Sequence, residues 1–134
     1  MRTHVEFRSR KFPPCEGEEA EVNPGLWGKR LAEYLHAQLA EKGVSVGESY
    51  VEDWGWVVPV QHDAFPMSIG CGHYQEYPDR YLVFIEPSTP TIRKGLFRKI
   101  DTTAEVERIA SVLHGILAAD PEIRDLRWWE DHVE

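Results

Sequence analysis

From Glu48 to Glu86 the chain is a succession of strand formers interrupted only at turn-forming positions. ESYVEDWGWVVPVQ (48–61) is aromatic and β-branched, FPMSIGCGHYQ (65–75) alternates, and RYLVFIE (80–86) is apolar at every interior position. In the second run Met67, Ile69 and Cys71 share one parity, and Ser68, Gly70 and Gly72 the other. HDAF (62–65) and EYPD (76–79) separate the runs, the latter with Pro and Asp where a turn wants them. The pattern predicts a three-stranded antiparallel meander.

The flanks complete the fold. THVEFRSRKF (3–12) alternates, with Val5 and Phe7 on one side and His4, Glu6 and Arg8 on the other, and it ends at Pro13-Pro14. CEGEEAEV (15–22) reads as a solvated acidic loop. Asn23 as N-cap and Pro24 at the first helical position predict a helix over 24–42, with Trp27, Leu31, Tyr34, Leu35 and Leu39 on its apolar stripe. Residues 87–101 read as a loop. Thr102-Thr103-Ala104-Glu105 fits a capping box that opens a second helix over 103–119, and Pro121 follows its end. The tail PEIRDLRWW is too apolar to stay off the body.

At 134 residues, 42% hydrophobic and 28% charged, the chain has the size and content of one domain with its own core. The expectation is an α+β two-layer sandwich spanning 1–134, with a mainly antiparallel four-stranded sheet and two helices in the order β-α-β-β-β-α plus the C-terminal tail. Read as one strand, 48–61 puts Glu52, Trp54 and Trp56 on one face and Asp53 on the other. The second face of the sheet is then partly apolar, and the tail, a ligand or a partner subunit in a homodimer would cover it.

Charge narrows the partners. A net charge of −8 argues against nucleic acid and against an anionic membrane surface, and suits a basic protein partner. MRTHVEFRSR has no apolar signal core, and no run of about 18 apolar residues occurs, so the expected location is cytoplasmic. Cys15 and Cys71 belong to no CxxC pair and are expected as free thiols in a reducing compartment. Phosphate-loop and dinucleotide motifs are absent, and no cofactor is implied.

Three clusters could carry chemistry. Glu52, Asp53, Trp54 and Trp56 offer carboxylates beside indoles, where apolar surroundings raise a carboxyl pKa and suit it to acid–base work; a solvated or ion-paired strand end is the plainer account. Cys71 and His73 share strand parity, with His62, Asp63 and Glu52 as further metal donors, but Cys71 also continues a core face. Arg93, Lys94, Phe97, Arg98 and Lys99 form a basic segment that could hold a phosphate, an acidic partner or the chain's own acidic loop. Gly70 and Gly72 predict close approach by something bulky, an aromatic ring of a neighbouring strand or a ligand.

The combination NPGLWGKRLAEYL, EDWGWVVPV, IGCGHYQEYPDRYLVFIEPS and FRKIDTT resembles a family of small uncharacterised bacterial proteins, a domain of unknown function. The resemblance covers most of the chain and implies a single domain of bacterial origin, with no activity or site residues attached. Two functional readings follow from the residues: a non-enzymatic binding or protein-interaction module, or a small acid–base or metal-assisted enzyme built around Glu52, Asp53, His62 and His73.

Overall fold

Alternation in the first strand is borne out. In β1 (His4–Arg8) Val5 and Phe7 are fully buried, while His4, Glu6 and Arg8 face away from the core. The computed structural model describes residues 1–130; His132, for which the sequence suggests no partner, lies outside them. After β1 come a one-turn helix α1 (Glu18–Glu21), a long helix α2 (Lys29–Glu41), and the strands β2 (Tyr50–Glu52), β3 (Gly55–Val60), β4 (Met67–His73) and β5 (Arg80–Glu86). A hairpin of β6 (Thr91–Lys94) and β7 (Arg98–Asp101), the helix α3 (Thr103–Ala119) and the strand β8 (Arg124–Trp129) follow.

The architecture is α+β, with a mainly antiparallel sheet as expected. The sheet has six strands rather than four, in the order β2-β3-β4-β5-β1-β8. Two features add the extra strands. The run 48–61 is not one strand: it turns back at Asp53-Trp54, with Glu52 opposite Gly55 and Val51 opposite Trp56. The tail does pack back on the body, but as an edge strand on β1, with Trp128 beside Val5 and Trp129 beside His4. It therefore widens the sheet instead of lidding it.

The segment 87–101 is a loop only over residues 87–90; from Thr91 to Asp101 it is a hairpin. TIRK and RKID pair around Gly95, whose φ of 77° supplies the left-handed residue of the turn. This hairpin forms a separate two-stranded sheet.

Both long helices bury their stripes against one face of the main sheet. Leu31, Ala32, Leu35 and Leu39 of α2, and Val106, Ile109, Ala110, Leu113 and Leu117 of α3, meet Val5, Val58, Ile69, Cys71 and Val83 in one core. Each fully buried Leu or Ile contributes about 1.5–3 kcal/mol, so these two stripes supply a large share of the stability beside the buried strand residues.

The second helix has its expected bounds, but the capping box does not form: Thr102 Oγ donates to the Thr89 carbonyl, and Asp101 Oδ1 accepts the Thr103 N–H at 2.8 Å. The first long helix starts at Lys29, later than expected, and Asn23 does not cap it. Instead Glu18, only 2% exposed, accepts the Gly28 and Lys29 N–H groups at 2.8 and 2.9 Å through one carboxylate oxygen. Its other oxygen accepts the Cys15 N–H at 2.9 Å. Part of the acidic loop is thus a buried helix cap, a role a carboxylate fills well at a helix N-terminus.

Candidate functional site

The turn at Asp53-Trp54 rearranges the aromatic cluster. Residues flanking a two-residue turn pair across it, so Glu52, Gly55 and Gly72 share one face, and Val51, Trp56 and Cys71 the other. Trp54 lies against Phe84 on the open face, ring centroids 5.1 Å apart. Trp56 faces α2, where the Lys29 ammonium stands 5.3 Å from the ring centre. The two tryptophans therefore lie on opposite sides of the sheet, contrary to the single-strand reading. Glu52 and Asp53 are both exposed, and the Asp53 carbonyl accepts the Asn23 side-chain amide at 2.7 Å.

His73 is on the helix face. It is 6% exposed, stacks on Trp27 at 3.5 Å, and donates Nδ1–H to the Gly25 carbonyl at 2.8 Å. Glu52 is two strands away, roughly 10 Å, on the opposite face. His62 and Asp63 lie beyond the far end of β3, roughly 20 Å from Glu52 at strand rise. There His62 Nδ1 accepts the Ala64 N–H at 3.2 Å and Nε2 faces Glu105 at 3.7 Å. Cys71 is fully buried beneath the helices, and burial pushes its thiol well above the ordinary range. Neither cysteine is in a disulfide. Among the described residues no group of three or more His, Cys, Asp or Glu is placed to hold a metal ion.

Gly70 explains itself. A Cβ there would sit 2.2 Å from the Phe84 ring, so the ring of the neighbouring strand lies where a side chain would be. Gly72 has ordinary room, with Trp54 atoms at 3.6 and 3.8 Å. Phe84 in turn stacks with His4 at 5.6 Å, and His4 with Trp129 at 5.6 Å. This half-buried aromatic row crosses the open face beside a polar patch. Glu6 accepts Arg127 at 2.9 Å and the Tyr74 hydroxyl at 3.0 Å, and burial together with Glu6 pushes the Tyr74 hydroxyl up to about 12. Asp79 accepts both Arg8 and Arg124. The row was not foreseen as a unit, because its members come from four separated segments.

The basic segment has the most exposed chemistry. At the hairpin tip Leu96 is 83% and Phe97 98% exposed. Behind the tip, Lys94 sits directly opposite Arg98, and Arg93 opposite Lys99. Like charges facing each other across a ladder are destabilising. Among the described residues none of these four cations forms an ion pair. The acidic loop does not supply one: Glu18 caps α2, and Glu19 accepts the Gly25 N–H at 3.1 Å. The hairpin is anchored through half-buried Ile92 and Ile100, which also line a cleft of about 330 Å³ shared with residues 62–66.

No family model, curated protein or solved structure gives a significant match to the chain. No helix of the described residues is long and apolar enough to cross a membrane.

Proposed function

We propose that this protein is a non-enzymatic protein-interaction module, and that the β6–β7 hairpin engages an acidic surface of its partner. One observation carries the reading. Two like-charge cross-strand pairs, which form no ion pair among the described residues, stand behind an exposed Leu96-Phe97 tip in a chain of net charge −8. Such an arrangement lowers the stability of the free hairpin and gains from an external anion. An aromatic side chain beside arginines is also a composition enriched in interface cores. The acid–base alternative has less support, since Glu52 and His73 lie on opposite faces two strands apart and His62 stands beyond the far end of β3, while general acid–base groups must reach one substrate.

The test begins with a photo-crosslinking residue in place of Phe97, and with a second placed at exposed Glu122 as control. The protein captured at position 97 is then purified and its affinity measured against variants. Arg93→Glu with Arg98→Glu is expected to weaken binding at least tenfold, and Phe97→Ala by a similar factor. Equal capture at both positions, or an affinity indifferent to both substitutions, would overturn the proposal.

A further inference from the structure

One edge of the main sheet is β2, and beside it runs a groove of about 700 Å³ between this strand and α2. Its lining combines Tyr50, Val51 and Trp56 with Lys29, Glu33 and Glu48. Three properties of this groove are unexplained by folding. Val51, on the groove face, is a large apolar side chain left 39% exposed. The buried Trp56 indole N–H has no acceptor among the described residues. Glu33 and Glu48 form no ion pair among the described residues, and Lys29, the lining cation, stands over the Trp56 ring instead.

The strand itself indicates the class of occupant. Glu52 and Gly55 close a two-residue turn and form a hydrogen-bonded pair, so Val51 and Trp56 form the next, non-hydrogen-bonded pair. The Val51 N–H and C=O therefore point out of the sheet, toward the open edge. A strand laid along that edge would bond to both. Every second side chain of it would project to the Val51–Trp56 face, over the groove and toward Glu33 on α2.

The geometry points to β2 and α2 as the docking groove for an extended peptide of the partner. The peptide adds as a seventh strand beside β2 and directs a lysine or arginine side chain between Trp56 and the carboxylates of Glu33 and Glu48. The charge balance selects this occupant. Two unpaired carboxylates and an indole face favour a cation, and the Lys29 ammonium already occupies a place over that ring. Lys29 stands on a flexible stem and can yield it. The inference is independent of the basic hairpin, which presents the opposite charge elsewhere on the molecule.

The probe is a set of capped hexapeptide pools with one position fixed in turn as Lys, Arg, Glu, Asp or Leu. The Lys and Arg pools are expected to be retained at least tenfold over the Glu and Asp pools, and to shift the Val51 amide and Trp56 indole resonances. Two variants attack separate parts. Glu33→Lys with Glu48→Lys leaves the strand intact and should lower retention at least tenfold. Val51→Pro removes an outward N–H that β3 does not use and should do the same. Phe97→Asp should change nothing, which separates this groove from the hairpin. Retention that is indifferent to the fixed residue, unaffected by the Glu33/Glu48 pair, or matched by free lysine alone would overturn the inference.

Discussion

Gly70 shows how far one residue can be read. Its place in an alternating strand, opposite Met67 and Ile69, predicts a bulky neighbour, and the Phe84 ring is that neighbour. Gly70→Ala should then destabilise the fold by about 1–3 kcal/mol, because a Cβ at 2.2 Å from the ring forces Phe84 off its position. Phe84→Ala should remove most of that penalty, so urea titrations of the double variant should show strong non-additivity. Additive losses would mean that the ring and the glycine are unrelated. Trp54 and Trp56 show the limit of the same logic. Alternation assigns them one face only while the strand continues, and it does not continue. Neither Asp53 nor Trp54 has a positive φ, so the turn is not of the primed kind that Asn-Gly advertises. The local mark of this turn is Gly55 at its last position, and one glycine inside a β-rich run marks a bulge as readily as a turn.

At the scale of elements, what is local was legible and what is distant was not. The stripe of α3 and its stop before Pro121 depend on neighbours within a few residues, and its bounds follow from the sequence. The start of α2 depends on Glu18, ten residues before Gly28, and no spacing rule links a loop carboxylate to a remote helix end. The consequence is testable. Glu18→Ala strips the acceptor from three N–H groups, at Cys15, Gly28 and Lys29, and should cost roughly 2 kcal/mol in denaturant titrations. A loss no larger than that of exposed Glu16→Ala would contradict the capping role. The β6–β7 hairpin was legible as a basic cluster but not as a ladder, since four residues on each side of a three-residue turn are too few to establish alternation. Only the pairing reveals that its cations face one another.

Across the whole molecule, charge has two different uses. Inside the fold, carboxylates are tied to cations that separate segments bring together. Burial alone would raise Asp79, but Arg8 and then Arg124 hold its carboxyl below the ordinary value. Asp120 is likewise raised by burial and more strongly lowered by Lys11, the Glu122 N–H and the Tyr34 hydroxyl. Carboxyls depressed in the folded state bind fewer protons there than in the unfolded chain. Their stabilisation is complete above the ordinary carboxylate value of about 4 and is lost as pH falls through the lower folded values. The melting temperature should therefore fall between about pH 4 and pH 2, and Asp79→Asn with Asp120→Asn should flatten that slope. A profile unchanged in the double variant would remove these two groups from the acid response.

On the surface, by contrast, the hairpin cations and the groove carboxylates form no ion pair among the described residues and stand on separate elements. An acidic molecule with a positive arm is expected to bind with a salt dependence set by the arm and not by its net charge. The central claim is tested most directly by the dissociation constant of the partner crosslinked at position 97, measured from about 50 to 300 mM salt. Binding should weaken steeply with salt in the native protein, and the slope should flatten when Arg93 and Arg98 are both replaced by glutamate. An affinity independent of salt, or an unchanged slope in that variant, would contradict the assignment of the β6–β7 hairpin as the interaction element.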